Sequence, residues 1–330
     1  MPLTLRRGSV TAITEELTAL VRLEVDGLPC ISYPRLTGPV RLGDEVLVNE
    51  QARLLELGSG GFDVLYANLT RGLALEPEEG AHVMALPYTP AQVALRHAEE
   101  TEELALDLDG MPVVCCTLHS QVAPVCAGIG EGIRVGYVQV PGGALPVSLS
   151  DAVRALKARG LIEVAIATGA CLDGDVDCVT VAAGLAWAAT QGLQVVVCAV
   201  GPGMVGTGSR LGHGALALAD AANAASALGG RPVLAPRSSD ADARERHKGV
   251  SHHTRSVLDL CLGEVVVAWP DEVETDGWER ACAGLPLSHM GRGHDEDPGF
   301  FRAAYAAGVV ARSLLPTGGA SRGPVGVSIS

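Results

Sequence analysis

A basic, histidine-rich segment between residues 237 and 255 has the highest density of side chains able to do chemistry. It carries five arginine or lysine residues against three acidic ones, and three histidines lie in the same stretch. The chain as a whole has a net charge of −14, so this is where local charge favours an anionic ligand. The predicted ligand-binding residues of this segment are Arg237, Arg246, His247 and Ser251.

Two of the histidines, His252 and His253, follow Ser251, which has the residue type and position of a helix N-cap. The free N–H groups and the dipole of such a first turn favour anions. Adjacent helical residues point about 100° apart, so we do not expect both histidines to bind one metal ion. One of them is predicted to face a ligand while the other packs or caps.

His119 and Ser120 stand at the end of a predicted strand and are expected to meet that helix start in space. A Ser/His/Asp arrangement would use Ser120 or Ser251 with a histidine, although no nucleophile-elbow sequence accompanies it. Its acid would be Asp173 or Asp175. A metal ion held by His119, one helix-start histidine and one of these aspartates is the competing interpretation. A purely structural role for any one histidine is the simpler alternative. The predicted catalytic residues are His119, Ser120, Asp175, His252 and His253.

Glycine-rich turns follow two other predicted strands. One of them has the spacing of a dinucleotide fingerprint at Gly201, Gly203 and Gly206. NAD(P) is not expected, because further glycines delay the next helix and the next strand ends in Pro-Arg without an acid. We predict that the turns offer backbone N–H groups to an anion, with a long turn that needs positive φ as the alternative. The predicted ligand-binding residues of these turns are Gly142, Gly143, Gly201, Gly203, Gly206, Thr207 and Gly208.

Alternating elements position these residues. From residue 111 onward, six β-branched runs alternate with five Ala/Leu-rich helical runs, which is typical of an α/β fold with a parallel, doubly wound, Rossmann-like sheet. Ligands of open parallel sheets sit outside the carboxyl ends of the strands. The loops there are rich in Gly, Ser, Asp and His, whereas the turns at the opposite ends are plain. We therefore predict one polar ligand pocket at the carboxyl ends.

The chain divides into four predicted parts. Residues 1–80 contain short strands and turns and indicate a small β-rich barrel or sandwich. Residues 81–110 are predicted as a linker, 111–315 as the α/β domain and 316–330 as a flexible tail rich in Gly, Ser and Pro.

Composition excludes several classes of protein. Residues 1–110 carry 18 acidic and 8 basic residues, which argues against nucleic-acid binding by the β-rich part. No apolar run is long enough for a membrane span, and the first residues do not resemble a secretion signal. Nine cysteines in mostly apolar contexts suit the reducing cytoplasm. A divalent metal ion and a homo-oligomer are left open.

Five segments resemble an uncharacterised bacterial family, the domain-of-unknown-function 3866 family. They are ISYPRLTGPVRLGDEVLVN (31–49), MPVVCCTLHSQVAP (111–124), VGPGMVGTGSRLG (200–212), RPVLAPRSSDADARERHKGVSHHT (231–254) and HMGRGHDEDPGFF (289–301). The resemblance implies no established activity. Two hypotheses follow from the residues themselves. The first is an enzyme acting on a small anionic metabolite, a class that includes phosphorylated compounds, and the second is a non-catalytic ligand-sensing or assembly protein that uses the same pocket.

Overall fold

Two sheets organise the molecule, a small closed barrel near the amino terminus and a larger parallel sheet in the rest of the chain. The structure is a computed structural model that describes residues 4–56, 60–72 and 78–316. From residue 317 onward, the predicted tail lies outside the described residues.

The barrel is built from five short strands. Its elements are β1 (Leu5–Glu16), β2 (Val21–Val25), β3 (Leu28–Ser32), α1 (Pro34–Thr37), β4 (Glu45–Asn49), α2 (Gln51–Leu54) and β5 (Asp63–Asn68). The strands close in the order β1-β2-β3-β5-β4, with β3 and β5 parallel. Inward side chains such as Val21, Leu23 and Val25 alternate with more exposed ones and form an aliphatic core. The predicted small β-rich domain is confirmed, and of the two alternatives, barrel or sandwich, it is a closed barrel.

A hairpin lies within the segment predicted as a linker. It consists of β6 (Val83–Ala85) and β7 (Val93–Leu95), which pair antiparallel. Leu95 is buried in a small apolar cluster with Leu172 of the following domain.

The second sheet has seven strands, all parallel. They are β8 (Pro112–Cys116), β9 (Val135–Val140), β10 (Val164–Thr168), β11 (Val176–Cys178), β12 (Val195–Val200), β13 (Arg231–Ala235) and β16 (Val266–Val267). Between β13 and β16, the strands β14 (Ser238–Ser239) and β15 (Gly249–Val250) form a separate two-stranded ribbon. Their order in space is β11-β10-β9-β12-β8-β13-β16. The parallel α/β prediction is confirmed, with one strand more than the six expected. The additional strand is β11, which has only three residues.

Helices cover both faces of this sheet, as a doubly wound fold requires. They are α3 (Val122–Ile129), α4 (Asp151–Ala158), α5 (Val181–Thr190), α6 (Ala217–Ala227), α7 (His252–Leu258), α8 (Trp278–Cys282) and α9 (Pro298–Ser313). Apolar residues of α3, α4, α8 and α9 pack on one face, and those of α5, α6 and α7 pack on the other. None of the helices in the described ranges combines the length and hydrophobicity that crossing a bilayer requires.

The barrel contacts the loops that follow β9 and β10. Leu36 of α1 packs near Leu145 of the first loop, and Leu149 packs beside the barrel residue Tyr33. Arg35 Nη1 lies 3.0 Å from an Oδ2 of Asp177 in β11. The barrel therefore covers part of the carboxyl edge of the parallel sheet.

Candidate functional site

The strands β9 and β12 are neighbours, yet the chain leaves them in opposite directions, toward β10 and toward β13. Open α/β sheets usually bind ligands in the crevice at such a reversal. Here the loops that follow, 141–150 and 201–214, pack backbone against backbone. The N–H of Ala144 donates to the Pro202 carbonyl at 2.9 Å, and that of Val205 donates to the Gly142 carbonyl at 3.0 Å.

Glycine is needed in these loops because the two backbones approach so closely. A Cβ atom on Gly142, Gly143 or Gly201 would collide with the backbone of the opposite loop. Gly214, which the sequence did not single out, has the same constraint. Packing therefore accounts for three of the predicted glycines, and their role in ligand binding stays a prediction.

The rest of the glycine-rich turn forms a small exposed hairpin. The N–H of Thr207 donates to the Gly212 carbonyl at 2.6 Å, and Gly206 pairs with His213. Gly203, with φ of 68°, has the left-handed conformation that the alternative reading anticipated. The hairpin returns the chain to the sheet edge at His213. Four predicted ligand-binding residues lie in this turn, and their role in ligand binding stays a prediction: Gly203, Gly206, Thr207 and Gly208.

Four imidazole rings pack together where the loops after β12 and β13 meet. We call them the histidine cluster, consisting of His213, His247, His252 and His253. The centroids of the His213 and His253 rings lie 4.0 Å apart in a stack, and those of His252 and His253 lie 4.4 Å apart. Adjacent helical positions predict that His252 and His253 diverge. The two rings converge instead, at the first two positions of α7.

Hydrogen bonds define the free nitrogen atoms of the cluster. The Nδ1 atom of His252 lies 3.3 Å from the Arg246 carbonyl, which can only accept, so the proton is on Nδ1 and Nε2 has a free lone pair. That Nε2 atom and both ring nitrogens of His213 are buried without a hydrogen-bond partner among the described residues. In contrast, Nδ1 of His253 accepts from Arg237 Nη1 at 3.1 Å.

Burial keeps the cluster uncharged. It lowers the pKa of His253 to about 2 and that of His247 to about 3, and nearby cationic groups lower both further. Burial also lowers the pKa values of His213 and His252. All four rings are therefore neutral at neutral pH. One nitrogen each from His213, His252 and His253 lie within 4.8 Å of one another, the arrangement of a candidate metal site.

Three arginines surround the Asp242 carboxylate next to the cluster. The Nη2 atoms of Arg237, Arg244 and Arg292 lie 3.2, 2.8 and 3.9 Å from its Oδ2. The hydrogen bond from Arg244 is the main reason why the pKa of Asp242 is lowered. Arg237 is almost fully buried, and its Nε has no partner among the described residues. Arg292 also pairs with Asp297, at 3.2 Å.

Asp297 occupies the N-cap position of α9, and Pro298 is the first residue of that helix. Its carboxylate makes no capping hydrogen bond. It accepts instead from the Ser239 hydroxyl at 2.6 Å. The pairing with Arg292 thus ties the segment before α9 to the arginine group.

His119 does not join the histidine cluster. Its Nδ1 donates to the Val200 carbonyl at 3.1 Å, and its Nε2 pairs with the Ser150 hydroxyl at 2.7 Å. Burial lowers its pKa to about 4. Both nitrogens therefore join the end of β12 to the N-cap of α4, and in the described part of the chain no hydrogen bond or ring contact links His119 to the helix start of α7.

The predicted Ser/His/Asp arrangement is not assembled. Ser120 Oγ lies 3.4 Å from Nδ1 of His289, a buried histidine stacked on Phe300. Asp175 is exposed beside Lys157 and accepts from the N–H of Ala165 at the opposite end of β10. The segment 169–175 returns the chain toward the amino end of β10 before the parallel strand β11 begins, which places Asp175 away from the carboxyl edge.

Asp173 lies at the barrel contact. Its Oδ2 accepts from the Ser148 hydroxyl at 2.9 Å, and its Oδ1 is 4.0 Å from Arg35 Nη1. Burial raises its pKa to about 6. Asp173 therefore belongs to the interface with the barrel rather than to a metal site with His119.

The remaining predicted residues lie in or beside the cluster. Ser251 caps α7 as expected, accepting from the His253 N–H at 3.2 Å, and its hydroxyl also bonds His247 Nδ1 at 2.8 Å. Arg246 has an exposed side chain and uses its carbonyl to orient His252. The residues of the site that sequence reasoning missed are His213, Asp242, Arg244 and Arg292. The signal for His213 was a histidine placed directly before a helix in a strand-end loop.

One protein-family model matches the part of the chain that contains the histidine cluster. Residues 29–281 match DUF3866, described as a protein of unknown function. No curated protein matches the chain. The match includes the barrel from its third strand onward, Arg237, Asp242 and all four histidines, and it ends before His289 and Arg292.

Proposed function

The chain belongs to the DUF3866 family, and we propose that it is an enzyme that acts on a small anionic metabolite, bound at the carboxyl ends of the α/β strands. The observation that supports this proposal is the buried guanidinium of Arg237, whose Nε donor has no partner in the described part of the chain. Leaving a buried charged donor unpaired is costly, and an anion in contact with it removes that cost.

The local charge favours the same ligand. Three guanidinium groups, those of Arg237, Arg244 and Arg292, face two carboxylates, those of Asp242 and Asp297. The neutral histidines add no negative charge, so one positive charge is left over for a carboxylate or phosphate group. Guanidinium groups match both geometries through paired N–H donors.

The histidine cluster would supply the chemistry next to this anion. His252 is the cluster residue that is only half-buried, and its Nε2 lone pair is free. We assign His252 as the proton acceptor and the arginine group as the clamp for the substrate.

A thermal-shift screen with matched ligands tests the proposal. Each carboxylate or phosphate compound is paired with its neutral amide or alcohol, and the anionic member is expected to raise the melting temperature. Arg292→Gln, at a half-buried position, should weaken binding about tenfold or more. Arg210→Gln removes an exposed arginine that pairs with Asp259 and should bind as the wild type does. Equal binding by Arg292→Gln, or equal effects of neutral analogues, would contradict the proposal.

One observation favours a ligand-sensing or assembly protein as the second candidate. The loop 141–150 packs on the 201–214 loop through Gly142 and Ala144, and it packs on the barrel through Leu145 and Leu149. A ligand that moved the 141–150 loop would thus also change its contacts with the barrel. Mass spectrometry of the screened ligand separates the two functions: an enzyme converts it, whereas a sensor leaves it unchanged and alters hydrogen exchange in the barrel.

A further inference from the structure

We propose that His213, His252 and His253 form a binding site for a divalent transition-metal ion of the zinc class. This goes beyond the proposed function, which requires an anion clamp and a base but no metal, and it changes one role. A metal ion would occupy the Nε2 lone pair of His252, so a metal-bound water would replace His252 as the base. One nitrogen from each ring lies within 4.8 Å of the other two. His213 comes from the loop after β12, and the other two come from the start of α7, so the site joins two strand-end loops.

The rings of His252 and His213 have nitrogen atoms available to bind a metal ion. The Arg246 carbonyl holds the proton of His252 on Nδ1 and leaves the Nε2 lone pair free. A backbone carbonyl that fixes the tautomer in this way is the usual outer partner of a metal-binding histidine. His213 has two buried nitrogens without a partner among the described residues, and a bound ion would satisfy one of them.

The third ring connects the metal site to Arg237. The Nδ1 lone pair of His253 is used by the guanidinium, at 3.1 Å. A neutral imidazole has one lone pair, so His253 can bind a metal ion only when Arg237 releases it. Metal binding would therefore free Nη1 of Arg237.

The geometry requires a modest adjustment. Tetrahedral zinc with Zn–N bonds of about 2.0–2.1 Å brings its ligand nitrogens to about 3.4 Å from one another. The rings of His213 and His253 are stacked with an interplanar angle of 23°, so at least one must rotate. The χ2 torsion of histidine is broad and permits this rotation.

The donor set selects the class of ion. The described part of the chain contributes three imidazoles and no carboxylate to this group. Imidazole suits zinc, cobalt, nickel and copper, whereas magnesium and calcium prefer oxygen ligands. Three protein ligands also leave a fourth position for water or a substrate oxygen, as in catalytic zinc sites.

Cobalt provides a direct test. The full chain is made without a histidine tag, freed of metal with a chelator and titrated with Co²⁺ alone. We expect one equivalent to bind with the visible absorption of tetrahedral Co²⁺, and one equivalent of Zn²⁺ to displace it. His252→Gln and His213→Gln should each weaken binding by more than about 100-fold, beyond the effect typical of outer-shell residues. His294→Gln, which changes an exposed histidine outside the cluster, should leave it unchanged.

Control measurements separate a loss of folding from a loss of metal binding. Circular dichroism and unfolding of the metal-free variants show whether each is folded, and the half-buried His252 decides the result if His213→Gln unfolds. Absence of stoichiometric Co²⁺ binding, or binding that His252→Gln retains, overturns the metal site. Phosphate binding measured on the metal-free chain tests the anion clamp, so either proposal can fail without the other.

Discussion

His119 and His252 both follow strands of the same parallel sheet at the same edge, yet their surroundings differ. Both nitrogens of His119 have partners, the Val200 carbonyl and the Ser150 hydroxyl. His252 has one partner and a buried Nε2 with none in the described ranges. Around His119 the protein fills the crevice between β9 and β12 with its own loops. The buried nitrogens that lack hydrogen-bond partners lie instead near the end of β13. The point where strand order reverses can therefore bind a ligand only when the loops there do not fill the crevice.

Truncating the two histidines should separate the two regions most clearly. His119→Ala removes the donor to the buried Val200 carbonyl, one of the two hydrogen bonds of the Ser150 hydroxyl and a buried ring, so we expect it to lower the free energy of unfolding by about 3 kcal/mol. His252→Ala removes a single weak bond at a half-buried position and should cost less than about 1 kcal/mol. Urea unfolding of the metal-free variants measures both values. Equal losses would show that His252 is as structural as His119.

The pH dependence of stability should report on Asp173, which the Ser148 bond ties to the loop of the His119 region. Burial raises the pKa of Asp173 from 3.8 to about 6, so the folded state binds the proton more tightly than the unfolded state does. The stabilisation is complete below about pH 4 and is lost as pH rises to about 6, with a difference of ~2–3 kcal/mol.

Matched variants isolate this effect. Asp173→Asn should remove that part of the pH dependence, whereas Asp175→Asn, at an exposed aspartate paired with Lys157, should retain it. Unfolding curves between pH 4 and 7 provide the comparison. A profile of Asp173→Asn that matches the wild type would refute the assignment.

Two glycine substitutions test whether the closely packed loop 141–150 requires glycine while the exposed hairpin does not. Gly143→Ala places a Cβ against the Gly201 carbonyl and should destabilise the fold by about 1–3 kcal/mol. Gly208→Ala meets no atom closer than Arg246 Nη1, at 4.0 Å, and should change stability by less than about 0.5 kcal/mol. Thermal unfolding measures both. A destabilising Gly208→Ala would show that the hairpin also needs glycine for packing.

The smallest expected effect concerns Arg237, which contacts both His253 and Asp242. If a metal ion releases its Nη1, zinc should tighten the binding of inorganic phosphate by about fivefold to tenfold, and phosphate should tighten zinc by the same factor. Calorimetric titrations with and without zinc measure this coupling. Additive binding in wild type would mean that Arg237 does not link the two sites.

Several features could be predicted from the sequence because they depend on neighbouring residues. The strands of the parallel sheet follow from continuous apolar runs, and the cap at Ser251 follows from residue type just before a helical run. Pro298 at the start of α9 is of the same kind. The short strand β11 was missed because its three residues carry too little pattern to be separated from the helix that follows.

The composition of the candidate site depended on strand order, which no local pattern encodes. The sequence determined that polar and basic side chains stand at the carboxyl edge. Only the tertiary structure placed β12 next to β9, which directed His119 to Ser150 and brought His213 to the start of α7. The physical reason is that side-chain type and helix caps are set over a few residues, whereas the partner of a buried nitrogen depends on which distant loops the sheet brings together.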